Sequence, residues 1–136
     1  MEEELAQRLI AAEALVAIGV GEDVNWVERP EGSTLPAITM LDVSGPKDYT
    51  HDGPTNLQYR RIRFNVWGKS YGQAKKVARL LSSELETTHE GDNVVFEEAF
   101  QISSTDIPAE RLEGGTKTFR IAMDFMVPHR PVNEGA

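Results

Sequence analysis

The sequence predicts an α+β fold: a two-layer sandwich in which two helices cover a mainly antiparallel sheet, with segments in the order α-β-β-β-α-β-β. Three observations carry that expectation. Two windows, Leu5 to Val16 and Ala74 to Leu85, repeat apolar residues at three- and four-residue spacing. Two others, Ile62 to Val66 and Phe119 to Val127, alternate apolar and polar residues, the mark of strands with one face on a core. The length of 136 residues, 40% hydrophobic and 26% charged, suits one modest core.

The first helix is expected from Glu2 to about Ala17, with Leu5, Leu9, Ala12 and Val16 on its apolar stripe. Glu2, Glu3 and Glu4 occupy its first turn, where the helix dipole favours anions, and Gly19 and Gly21 offer left-handed exits. A short strand, Asp23 to Glu28, and a loop over Pro30 to Pro36 follow. Ala37 to Val43 reads as a strand with Ile38 and Met40 on one face and Ala37, Thr39 and Leu41 on the other. Ser44 to Asn56, rich in Gly, Pro, Asp and Asn, reads as a long loop.

Leu57 to Trp67 is the clearest strand, with Ile62, Phe64 and Val66 inward and Arg61, Arg63, Asn65 and Trp67 outward. Ser70 and Gln73 then stand at capping-box spacing before a helix whose stripe is Tyr71, Ala74, Val77, Ala78, Leu81 and Leu85. Gly91 is expected to close the helical region. Asn93 to Ser103 is expected as a strand burying Val94, Phe96, Phe100 and Ile102. Glu98 would fall on that same apolar face, so an irregularity is expected at Glu97–Glu98. Ser104 to Gly115 reads as a polar hairpin loop and Lys117 to Val127 as the last strand. Residues 1–128 then form one domain, and residues 129–136 a flexible tail.

Composition narrows function by exclusion. The chain has no cysteine, which removes disulfides, thiolate metal sites and cysteine nucleophiles. Met1-Glu2-Glu3-Glu4 is unlike a cationic signal-peptide start, and the longest apolar stretch, Ala14 to Val20, is far short of the roughly 20 residues of a membrane span. A soluble protein made inside the cell, with no membrane partner, is expected. His51, His89 and His129 fall in expected loops or the tail without metal-ligand spacing. No G-x-S-x-G or phosphate-binding loop occurs, and Glu97 and Glu98, adjacent on a strand, point to opposite faces. No catalytic residue, metal site or cofactor is expected, and the chain is not read as an enzyme.

The charge carries more. Fourteen basic and 22 acidic residues give −8, an unfavourable field for phosphate. Residues 1–35 are locally −6 and residues 91–136 are −4, yet Gly53 to Ser83 holds seven cations and no acid. Opposite-signed surfaces on one chain favour head-to-tail self-association. Tyr59, Arg61, Arg63 and Trp67 share one strand face, so a small single-stranded nucleic-acid-binding module is an alternative.

Several segments in fixed order carry a resemblance. They are an N-terminal helix; Leu35-Pro36-Ala37-Ile38-Thr39 opening a strand; the loop Tyr49-Thr50-His51-Asp52-Gly53; and a strand ending Arg63-Phe64-Asn65-Val66-Trp67. Then come Ser70-Tyr71 with Ala74, Ala78, Leu81 and Leu85 on a helix, and a closing strand through Asp124-Phe125. Over roughly residues 2–128 the chain resembles the tail terminator (tail completion) proteins of long-tailed phages, prophages and gene transfer agents. The resemblance implies a small α+β sandwich and a virion protein of the head–tail junction, assembled in the bacterial host cytoplasm. It implies a ring, usually hexameric, that caps the tail tube, stops its polymerisation and receives the head connector. Its partners would be itself, the tail-tube protein, the head-completion or connector protein, and genomic DNA passing through the lumen without specific binding. On that reading Glu2, Glu3 and Glu4 pair with Arg61, Arg63 and Trp67 of a neighbouring subunit, and Asp48, Tyr49, His51, Asp52 and Gly53 contact tube or connector. A head-closure (stopper) or tail-tube protein is the nearest alternative.

Overall fold

The computed structural model describes residues 1–29, 34–45, 51–52, 57–111 and 117–132. Its elements in chain order are α1 (Glu2–Ala11), α2 (Glu13–Ile18), β1 (Val24–Trp26), β2 (Ala37–Asp42), β3 (His51–Asp52) and β4 (Leu57–Gly68). They continue with α3 (Tyr71–Leu85), β5 (His89–Glu90), β6 (Val94–Phe96), β7 (Phe100–Arg111) and β8 (Lys117–Pro131). The strands form one sheet in the order β1-β2-β4-β8-β6-β5, with β3 also on β4 and β7 also on β8. All described pairings are antiparallel except β1 with β2. The α+β class and the segment order are those expected.

The helices lie on one face of this sheet. Ile62, Phe64 and Val66 of β4 and Ile121, Met123 and Phe125 of β8 form the floor of the core, each at most 2% exposed. Phe64 and Phe125 meet edge to face, with centroids 5.8 Å apart. From α3, Ala74, Val77, Ala78, Leu81 and Leu85 cover that floor, and α1 adds Leu5 and Leu9. Tyr71 is the exception in the expected stripe: it is 45% exposed, and its hydroxyl donates to Asp106 at 2.9 Å.

Local chemistry sets the helix ends. The Gln73 N–H donates to Ser70 Oγ (3.1 Å), and the Lys69 N–H donates to Gln73 Oε1 (2.7 Å). The reciprocal return bond thus reaches one residue before the N-cap. The turn between β4 and α3 is tight. A Cβ at Gly68 would lie 2.8 Å from the Ala74 backbone nitrogen. Backbone cannot swing away, so Gly68→Ala is expected to cost about 1–3 kcal/mol of unfolding free energy in a urea titration. An unchanged midpoint would show that the turn can open.

Several expectations are corrected. The first helix breaks at Ala12, whose backbone is extended (φ −65°, ψ 116°). The break resets the helical phase, so Leu15 is buried and Val16, expected on the stripe, is 51% exposed. Gly19 does provide the left-handed exit, at φ 104°. The first strand ends at Trp26 because Val27 turns into the left-handed region at φ 72°. A β-branched residue there is strained, and Val27 is 69% exposed with little burial to lose. Val27→Asn is therefore expected to raise stability by about 1 kcal/mol, read as a higher melting temperature. A lower one would place Val27 in a contact that outweighs its backbone strain.

Gly91 does not close the helix: α3 stops at Leu85, and His89–Glu90 already forms β5. The irregularity expected at Glu97–Glu98 is present, since β6 ends at Phe96 and β7 starts at Phe100. Its consequence differs from the expectation. Ala99 takes the inward position, with its N–H on the Leu85 carbonyl (2.9 Å). Beyond it Phe100 and Ile102, expected in the core, are 54% and 39% exposed. Nor is Ser104 to Gly115 a loop throughout. β7 runs through Arg111 along β8, with register shifts at Gln101/Ser103 and Ile107/Glu110.

The last strand is also longer than expected. Residues 128–131 belong to β8 because both of its flanks offer partners there: Tyr59 and Gln58 of β4 on one side, Phe96, Val95 and Val94 of β6 on the other. His129 is accordingly buried in the sheet, not the first residue of a tail. The remaining expected tail, residues 133–136, lies outside the described residues.

Candidate functional site: the open face of the sheet

The face of the sheet away from the helices carries the outward residues of β2, β4, β8 and β7 in cross-strand rows. One row reads Ala37, Trp67, Arg120, Ile107. The next reads Thr39, Asn65, Ala122, Thr105, and the third Leu41, Arg63, Asp124, Ser103. A fourth pairs Arg61 with Met126 and Met126 with Phe100. The second row is made of short side chains between rows of long ones. The result is a trough, a cavity of about 340 Å³ lined by Leu41, Arg63, Asn65, Ser103, Thr105, Ile107, Arg120, Ala122 and Asp124.

One wall is a charged clamp. Arg61 donates from Nε and Nη2 to Asp124 Oδ2 (3.1 and 3.0 Å). Arg63 donates from Nε to Oδ1 (2.8 Å) and from Nη2 to Oδ2 (3.2 Å). Asp124 is 2% exposed, so burial alone would raise its pKa; the hydrogen bonds from Arg63 and Arg61, with their charges, outweigh that and hold it below 3.8. The hydrogen bond to Asp124 raises Arg63 in turn.

The other wall is an arginine–tryptophan stack. The guanidinium carbons of Arg29 and Arg120 lie 4.8 and 5.0 Å from the Trp67 ring centroid. Trp67 Nε1 donates to Thr39 Oγ1 at 3.1 Å, which locks the indole on the sheet. Arg120 Nε is buried with no hydrogen-bond acceptor among the described residues.

The residues singled out from sequence are distributed as follows. Arg61, Arg63 and Trp67 do share this face, but Arg61 and Arg63 find an acid in their own chain. Glu2, Glu3 and Glu4 stand in the helical layer, away from them. Glu4 Oε1 accepts from the backbone amides of Asn93 (3.0 Å) and Val94 (3.2 Å), and the Glu2 carbonyl accepts from Trp26 Nε1 (2.9 Å). Glu2 and Glu3 are exposed. His51 and Asp52 form the short strand β3 on β4; Asp48, Tyr49 and Gly53 lie outside the described residues. His89 and His129, expected in loop and tail, are both in strands and pack on Phe96, with centroids 6.4 and 6.3 Å from it. Burial lowers the His129 pKa, against a hydrogen-bond contact with the Val127 carbonyl. Among the described residues no group of three His, Asp or Glu side chains could hold a metal ion, and no helix is long and apolar enough to cross a membrane.

Sequence reasoning did not find Asp124, Arg120 or Arg29 as parts of this face. The alternation of the last strand placed Arg120, Ala122 and Asp124 together; only the pairing of β8 with β4 sets them against Trp67, Asn65 and Arg63.

No family model matches the sequence, and neither does any curated protein. Among solved structures the chain is similar to one from the virion of a native gene transfer agent particle. The identity is 18%, the TM-score 0.64, and the match covers 96% of this chain and 94% of that one. At that identity the likeness is one of fold, and it runs over nearly the full length of both chains.

Proposed function

We propose that the chain is a structural virion protein, a tail terminator whose copies form a ring on the end of a tail tube and present a surface to the head connector. The observation that carries this reading is the near-complete overlap of fold with a chain of a gene transfer agent virion. It agrees with the order of segments that resembles tail terminators.

The surface suits assembly. Among the described residues β7 pairs only with β8, which leaves its other edge without a strand partner there. Soluble monomers blunt such an edge with charge, proline or a covering segment. β7 carries Asp106, Pro108 and Glu110 toward its far end, but its first half, Phe100 to Thr105, has no charge and exposes Phe100 and Ile102. A neighbouring copy that covers this edge removes the liability, and a head-to-tail contact closes into a ring when its rotation divides the circle. Arg63, with a side chain 43% exposed, can face a neighbour while holding Asp124. The net charge of −8 keeps DNA mobile in a lumen.

The test is solution mass over a range of concentration and salt, with electron microscopy of the protein alone and mixed with tail tubes. Rings, or caps that halt tube growth, are expected. A strictly monomeric species at high concentration, even with tail-tube protein added, would sink the reading. Incorporation along the tube instead of at its end would favour the tail-tube alternative.

A further inference from the structure

We propose that the trough on the open face is a carboxylate receptor, and that its occupant is the acidic first turn of α1, Glu2 and Glu3, of a second copy of this chain. The inference rests on the ring reading and names the contact that builds it. Arg120 is the primary ligand. Its guanidinium is held against Trp67, yet its buried Nε has no acceptor within the described chain. Arg120 lines the trough and makes no ion pair among the described residues, so its charge can meet a carboxylate arriving from outside. The trough floor adds the Asn65 amide and the Thr105 hydroxyl, with Ser103 at the rim, all able to donate to a carboxylate. The receptor is rigid because Trp67 is fixed on Thr39 and Arg63 on Asp124.

Charge selects the occupant. Among the described residues the open face carries Arg29, Arg61, Arg63 and Arg120 around the buried Asp124, in a chain that is −8 overall. The first turn of α1 offers two adjacent exposed acids on a mount already ordered. Glu4 is tied to the amides of Asn93 and Val94, and the Glu2 carbonyl is tied to Trp26. Ordering this turn costs little on binding. The turn belongs to the helical layer and the trough to the opposite face, so the contact joins unlike surfaces and propagates head to tail. A phosphate chain fits less well. Two guanidinium groups already lie on Trp67, the ring that would stack a base, and the chain's field repels it.

A double-mutant cycle on assembly tests the pair. Arg120→Gln, the double change Glu2→Gln with Glu3→Gln, and their combination are compared with the parent by the concentration at half-assembly, with thermal melts confirming that each is folded. Each change is expected to raise that concentration about tenfold, and the combination by about the same factor, because the second loss removes nothing further. Strict additivity, or an Arg120→Gln protein that assembles like the parent, overturns the contact and leaves the ring standing. A parent that never assembles, with or without tail tubes, removes the ring reading itself and the contact with it. Salt-sensitive binding of a single-stranded oligonucleotide that Arg120→Gln abolishes while assembly is unchanged assigns the trough to phosphate and overturns the carboxylate. If Arg120→Gln fails to fold, Arg120→Lys takes its place: it keeps the charge but not the planar fork, and parent-like assembly by it also overturns the proposal.

Discussion

Arg8→Ala is expected to lower the unfolding free energy by about 3–5 kcal/mol, the range for removing one partner of a buried charge pair. Arg8 is 3% exposed, between α1 and the end of α3. Its Nη2 donates to the Glu84 carbonyl and, at 2.9 Å, to the Thr87 carbonyl. Its Nε lies 3.5 Å from Glu84 Oε1, and its guanidinium lies over the Phe96 ring at 5.7 Å. One side chain thus supplies donors to carbonyls at the C-terminal end of α3, beside the Thr87 N–H and hydroxyl that also reach the Glu84 carbonyl (3.4 and 2.9 Å), and ties that end to α1. Burial pulls the guanidinium below its ordinary pKa, and Glu84 pushes back; at neutral pH it stays charged. Arg8→Met, which refills the space and leaves the carbonyls to water, is expected to cost less than Arg8→Ala. Urea midpoints with unchanged slopes provide the measurement. A loss under about 1 kcal/mol for Arg8→Ala would mean that the end of α3 is held by other contacts.

Asp124→Ala is expected to cost about 2–4 kcal/mol, less than a fully enclosed pair because Arg61 and Arg63 keep part of their side chains in water. Without the carboxylate the two guanidinium groups repel each other across one strand, and the wall of the trough loosens. The pH dependence has a definite sign. The folded-state pKa of Asp124 is depressed, so its contribution is fully present above 3.8 and is lost as pH falls below that value through the folded-state pKa. The parent should therefore lose stability in acid more steeply than Asp124→Asn. Parallel acid titrations of the two proteins would falsify the clamp as a source of stability. Because Arg61→Glu and Arg63→Glu also break this clamp, either reversal would disturb the fold along with any interface.

Much of this architecture was legible because its signals are local. The alternation through Ile62, Phe64 and Val66 and the cap at Ser70 are readable from neighbours, and both are where the pattern places them. What stayed hidden depends on partners distant in sequence. Phe100 and Ile102 look like core residues until Ala99 turns the chain on the Leu85 carbonyl. His129 looks like the start of a tail until β6 and β4 pair around it. The candidate site divides the same way. The alternation brought Arg61, Arg63 and Trp67 to one face, while Asp124 beneath the arginines and Arg120 beside the indole required the register of β8 on β4. The acids of α1 are expected to meet those arginines across a subunit boundary; within the folded chain Glu4 holds backbone amides and Asp124 holds the arginines.

The placement of β8 at the centre of the sheet dictates an order of events during synthesis. β4 pairs with β8 through residues as far apart as Gln58 and His129, and among the described residues β6 and β7 join the sheet through β8. A nascent chain that stops short of residue 117 can build α1, α3 and the β2–β4 pair, but it holds β4 with a bare edge over an incomplete core. Such edges recruit other chains, and long-range pairings close slowly. Truncations ending before β8 should therefore be protease-sensitive and prone to aggregate, while the whole chain folds as one late, cooperative step.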